Sequence, residues 1–162
     1  MAKTEAKFQT ELKQSLDHIA EKYSILYHKI SDMSIGQKPA DCFIICNKGF
    51  FLCELKMCKT KNKINFKSLF KGREHQIEAL TKGWIPKAQN YSYLIINQYK
   101  AREYNNCYYV PGNLVKELVR LDPMCISDLQ GHGYLKTINQ ISVNYPFSER
   151  KRKLWDISKL LT

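Results

Sequence analysis

The sequence predicts an α/β sandwich, a mixed central β-sheet flanked by helices. Three observations predict it. The chain has 162 residues, 44% of them apolar, which suits one domain with a sizeable core rather than a disordered chain. Its periodic segments run in the order helix, strand, hairpin, helix, strand, strand, helix. It has no internal repeat, low-complexity stretch or Pro/Gly/Ser-rich linker to divide it. Residues 1–162 are therefore expected to form a single domain, closed by a basic C-terminal segment and a short helix over 149–162.

Residues 4–22 place Phe8, Leu12, Leu16 and Ile19 at helical spacing among polar residues, the mark of an amphipathic helix. Residues 24–28 read as a short strand, and 31–39 as a loop because Gly36 and Pro39 interrupt them. Residues 41–46 and 50–57 are apolar runs around Asn47-Lys48-Gly49, so they predict a β-hairpin. Lysine-rich 59–63 reads as an exposed loop, 72–83 as a helix ending near Gly83, and 91–98 and 106–110 as strands. Residues 112–120 predict a helix opening after Pro111. Residues 124–148 carry no clear period, and KLWDISKLL at the end reads as a short amphipathic helix.

The formal net charge is +11. A polyanionic partner is the leading explanation: nucleic acid, with an anionic membrane surface as the alternative. Ten tyrosines interleaved with the basic residues suit nucleic acid better. No run is long or apolar enough to span a bilayer, so no membrane partner is expected. The charged start MAKTEAKFQTELKQ lacks an apolar signal region, and the expected location is the cytoplasm. The six cysteines include no C-x-x-C pair. They are expected to be free thiols packed as small hydrophobes rather than zinc ligands.

The chemistry concentrates in the hairpin. Strand alternation puts Phe50, Leu52, Glu54 and Lys56 on one face and Phe51, Cys53, Leu55 and Met57 on the other. A carboxylate and an ammonium thus emerge side by side from an apolar strand, at a desolvation cost of several kcal/mol each, roughly, unless they serve a purpose. Asp41 opens the partner strand, where the hairpin can bring its carboxylate beside Glu54. Two carboxylates and a lysine at one sheet edge suit phosphodiester hydrolysis. Hard oxygen ligands favour Mg²⁺, with Mn²⁺ as a substitute, and the ion polarises the phosphate and activates water. Asp41 and Glu54 are the expected metal ligands, with the backbone carbonyl of Leu55 as a third. Lys56 is expected to orient the attacking water or stabilise charge on the phosphate. No organic cofactor is implied.

Pro39-Ala40-Asp41, followed some dozen residues later by Glu54-Leu55-Lys56, resembles the PD-(D/E)XK nuclease signature. The stretch around it, with Asn65-Phe66 and then Glu74-His75-Gln76-Ile77-Glu78-Ala79-Leu80, resembles the RecU-type Holliday junction resolvases, including their phage relatives. Tyr93-Leu94-Ile95-Ile96-Asn97 resembles that family's next core strand. The resemblance covers roughly residues 40 to 110. It implies a restriction-endonuclease-like core, Gln76 turned toward the active site and His75 within reach of DNA. It also implies an acid on the first helix. Matching Phe8 to the family's preceding residue puts Gln9 where that acid is expected, while Glu5 lies one turn earlier on nearly the same face. Glu5 or Gln9 is thus the expected fourth metal ligand, or neither is. Glu11 is nearby and points away from Gln9.

Lys59, Lys61, Lys63, Lys67, Lys71 and Arg73 lie between the site and the next helix, placed to hold flanking phosphates or simply to be solvated. Arg150-Lys151-Arg152-Lys153 can bind DNA or serve solubility. The expectation is a structure-selective, Mg²⁺-dependent endonuclease of DNA recombination and repair, acting on four-way junctions as a homodimer in a bacterial cell or phage-infected host. Leu154, Trp155 and Leu160 would help build the dimer or pack in the core. The alternatives are another PD-(D/E)XK nuclease, whether restriction-like, nicking or exonucleolytic, and a relative that binds DNA without cutting it.

Overall fold

The computed structural model describes residues 2–31, 37–82 and 90–161. The first helix, α1 (Glu5–Tyr23), is capped by Thr4, whose hydroxyl accepts from the Lys7 N–H at 3.2 Å. It ends at Ser24, left-handed at φ 51°. That turn uses up the first residues assigned to a strand, so β1 spans Leu26–Lys29 rather than 24–28. Residues 32–36, including Gly36 of the expected loop, lie outside the described residues. The hairpin forms as expected. β2 (Cys42–Cys46) pairs antiparallel with β3 (Gly49–Cys58), and Cys46 faces Gly49 across a two-residue turn.

The lysine-rich stretch is only partly a loop. Lys63–Ile64 form a short strand, β4, and Asn65 then caps a one-turn helix, α2 (Phe66–Leu69). Buried Ile64 and Phe66 are the anchors that tie this basic segment down. α3 (Glu74–Lys82) follows, and the expected end at Gly83 lies outside the described residues. β5 (Asn90–Lys100) and β6 (Tyr104–Pro111) each run longer than expected, and α4 (Gly112–Arg120) opens after Pro111. Glycine is required at 112. A Cβ there would meet the Ser92 side chain and lie 2.6 Å from the Leu80 carbonyl oxygen.

The segment without a clear period holds β7 (Met124–Cys125), α5 (Ile126–Gly131), β8 (Lys136–Ile138) and β9 (Gln140–Asn144). The C-terminal expectation is corrected: Lys151–Trp155 is a strand, β10, paired with β9, and only Ile157–Leu161 is helical, as a 3₁₀ turn.

The main sheet runs β1-β2-β3-β5-β6-β8. Only the β3–β5 pairing is parallel, so the sheet is mixed, as expected. Its faces bury two cores. Phe51, Cys53 and Leu55 pack with Phe8, Leu12 and Leu16 of α1 and with Trp155, Ile157 and Leu160 from the C-terminus. On the other side, Leu94, Ile96 and Val110 pack with Phe66, Phe70, Leu80, Val115 and Leu118 from α2, α3 and α4. The sequence is thus an α/β layered fold with helices on both faces. Leu154, Trp155 and Leu160 are buried, and the Trp155 N–H donates to Ser15 Oγ at 3.0 Å. These three residues serve the core and present no surface to a second copy. Among the described residues no helix is long and apolar enough to cross a membrane.

Candidate active site

Asp41 sits one residue before β2 and prolongs it. Its N–H donates to the Cys53 carbonyl at 3.2 Å, and its carbonyl accepts from the Ile30 N–H at 2.9 Å. Its side chain then adds one further rung: Oδ2 accepts from the Leu55 N–H at 2.8 Å. The other oxygen, Oδ1, faces Lys38 Nζ at 3.1 Å. Asp41 is 3% exposed, yet all its contacts are satisfied, as a buried carboxylate requires. Lys38 was not among the expected site residues; its only sequence signal is a cation three positions before Asp41.

Glu54 presents the opposite condition. It is 1% exposed, and its one close partner is Lys56, whose Nζ forms a charge-assisted ion pair with Oε1 at 2.5 Å. Oε2 has no hydrogen-bond partner among the described residues. Burial, and then the negative Asp41, push the Glu54 carboxyl up to about 7, against the opposing pull of Lys56. Lys56 thus serves one oxygen, and Oε2 has no partner among the described residues.

Lys56 emerges on the same face, as strand alternation requires. Its ammonium donates to Gln76 Oε1 at 3.1 Å and lies 5.3 Å from the centre of the Phe70 ring. Gln76, on α3, is buried with its side-chain oxygen turned to Lys56. Phe70 is a further contribution that spacing alone does not reveal. Leu55 sends its side chain into the α1 core. Its N–H is taken by Asp41, and its carbonyl lies on the same edge of β3, beyond the end of β2.

Glu5 and Gln9 separate. Glu5, in the first turn of α1, lies within electrostatic range of four site residues. The residue is exposed, yet partial desolvation and then Asp41 raise its carboxyl, while Lys56, Lys38 and Arg73 pull it down. Gln9 is half-buried, one turn further along. Glu11 points elsewhere, to Lys3 and Trp155. Among the described residues no three His, Cys, Asp or Glu side chains are already drawn together as a metal cage. Asp41 and Glu54 sit on neighbouring strands, and Glu5 lies within electrostatic range of both.

The basic residues divide. Lys59, Lys61, Lys63, Lys67, Lys71 and Arg73 are all exposed, and His75 is half-buried. Arg73 lies within electrostatic range of Glu5. Lys59 and Lys61 instead line a cavity of about 390 Å³ with Lys3, Met57, Tyr99 and Tyr104. Their backbone is fixed: Gln98 Nε2 donates to the carbonyls of Thr60 and Lys61 at 2.6 and 2.5 Å, and the Tyr104 hydroxyl to that of Lys59 at 2.6 Å. All six cysteines are free thiols, four of them buried.

No protein-family model matches the chain, and no curated protein matches it. Among solved structures, it is similar to Hjc of Archaeoglobus fulgidus, a Holliday junction resolvase from an archaeal hyperthermophile. The two are 16% identical with a TM-score of 0.40, and the match covers 73% of this chain and 88% of that one. At that score the functional reading rests on the side chains themselves.

Proposed function

We propose that this chain is a divalent-metal-dependent DNA endonuclease that cuts branched DNA, four-way junctions above all. The observation that carries the reading is Glu54: a carboxylate 1% exposed, beside Asp41, with Lys56 on one oxygen and no partner among the described residues on the other. Lys56 meets Oε1 alone, and a buried carboxylate with its second oxygen bare costs stability. Asp41, Glu54, Glu5 and the Leu55 carbonyl would hold Mg²⁺ or Mn²⁺, which supplies Lewis-acid polarisation of the phosphodiester. Gln76 and the Phe70 ring fix the Lys56 ammonium where it offsets charge gathering on the phosphate. Lys38 and Arg73 add positive potential beside the carboxylates, and Lys59, Lys61, Lys63, Lys67, Lys71 and His75 offer further contacts to flanking phosphates. Two symmetric cuts in a junction call for two copies of the site, hence a homodimer.

The test is a cleavage assay on synthetic four-way junctions and matched linear duplexes, with and without Mg²⁺. Paired cuts in the junction and little cutting of the duplex are expected. Equal cutting of both would remove the junction preference, and no metal-dependent cutting at all would leave a DNA-binding protein. Asp41→Asn is expected to lower cutting about a thousandfold while junction binding persists. An unfolded Asp41→Asn protein would make Asp41 a structural residue.

A further inference from the structure

The basic run near the C-terminus has no part in the site above, yet it is built into an unusual hairpin. β9 and β10 pair antiparallel from Gln140↔Trp155 to Asn144↔Lys151, leaving Tyr145–Arg150 as the tip. Tyr145-Pro146-Phe147-Ser148 is a turn closed by the Ser148 N–H on the Tyr145 carbonyl at 3.1 Å. Proline at its second position and φ +57° at Phe147 give it the pattern of a type II turn. The third position of such a turn favours glycine, because a side chain there crowds its own backbone. Here it carries phenylalanine, and that ring is fully exposed.

The surroundings point to a ligand. The guanidinium groups of Arg150 and Arg152 lie 5.9 and 5.3 Å from the centre of the Tyr145 ring. Arg152 Nε is buried with no hydrogen-bond partner among the described residues. Lys151 and Lys153 are exposed on the same strand. The tip is held by the Tyr145 N–H on the Arg150 carbonyl at 2.8 Å and the Arg150 N–H on Ser148 Oγ at 3.0 Å. An exposed apolar ring is thus raised on a fixed turn, two residues from a tyrosine flanked by two guanidinium groups. A polyanion with flat apolar faces satisfies both features, and nucleic acid is that polymer.

We infer that the β9–β10 hairpin is a nucleic-acid wedge: Phe147 inserts between bases where stacking is already broken, and Arg150, Lys151, Arg152 and Lys153 hold the flanking phosphates. A branch point is such a place, since unstacking costs least there. The inference rests on the nucleic-acid half of the proposed function and not on cutting.

The test uses the full chain in metal-free buffer with EDTA. A four-way junction carries 2-aminopurine at the branch point, and a duplex carries the same label. Native protein is expected to raise the junction fluorescence severalfold and the duplex signal little. Phe147→Gly suits the turn's backbone and is expected to fold with an undiminished melting temperature. It should bind the junction about tenfold more weakly and leave the fluorescence at its free level, while Phe147→Trp restores both. Native affinity and fluorescence in Phe147→Gly overturn the wedge. So does loss of binding to phosphatidylserine vesicles with junction binding unchanged, which would make the tip a membrane contact. A fluorescence change without Mg²⁺-dependent cutting sinks the nuclease and keeps the wedge. Cutting with no effect of Phe147 does the reverse.

Discussion

Among the described residues, the Lys3–Glu11 and Lys56–Glu54 pairs each have one fully buried and one partly buried member, and they are built to opposite ends. At the start of α1, Lys3 Nζ meets Glu11 Oε2 at 2.6 Å. Glu11 also accepts from Trp155 Nε1 at 3.3 Å. Lys3 lies over the rings of Phe8, Tyr99 and Trp155 and reaches Asn105 Oδ1 at 3.4 Å. Every charge there has several partners, and the knot ties the first residues of the chain to β5, β6 and β10. In the candidate site, Lys56 meets Glu54 at a similar 2.5 Å, but it is the one partner Glu54 has among the described residues, and Oε2 has none. Burial of charge is common to both. Satisfaction is what differs, and it separates a pair that holds the fold from one held in readiness.

The largest effect that could break this comparison is on Glu11. Glu11→Ala leaves Lys3 buried without its anion and is expected to destabilise the protein by about 3 kcal/mol in urea unfolding. A loss under about 1 kcal/mol would make the knot ornamental. Next, Glu54→Gln is expected to stabilise the metal-free protein by about 2 kcal/mol at pH 8. The sign follows from a carboxyl raised from 4.5 to about 7 in the fold. The native protein loses stability as pH rises through that window and is free of the penalty below it. The gain from Glu54→Gln should therefore vanish near pH 4.5, and Mg²⁺ should raise the melting temperature of the native protein more than that of the variant. A variant less stable than native at pH 8 would sink the idea of an unsatisfied charge. The smallest effect sharpens the contrast: Lys3→Met with Glu11→Gln is expected to stay within about 1 kcal/mol of native and to keep cutting. Lys56→Met with Glu54→Gln should fold as well and cut nothing. Equal activities in the two doubles would erase the distinction.

Much of this was legible in local pattern. The hairpin, α1 and α4 follow from period and turn residues, and strand alternation placed Glu54 beside Lys56. Asp41 followed because a tight turn dictates register. What spacing could not reveal depends on contacts made at a distance. Lys153-Leu154-Trp155 looked helical because its apolar residues fit either period. It became a strand because β9 offers a partner, a tertiary preference that overrides local propensity. Phe70 and Gln76 reach Lys56 across separate elements. The knot of Lys3 and Glu11 has no sequence signature, and helical spacing left Glu5 and Gln9 as alternatives because they lie one turn apart on nearly the same face.

The side chain of Asp41 takes the place of a backbone carbonyl in the ladder, accepting the Leu55 N–H where β2 has run out. Its reach is therefore set by the spacing between strands, about 4.8 Å. An acid longer by one methylene would have to buckle to make that bond, or abandon it and leave a buried amide bare. The choice between the two acidic amino acids at position 41 is thus made by the pitch of the sheet. Asp41→Glu, which preserves charge and chemistry, should be tolerated as poorly as a change of charge.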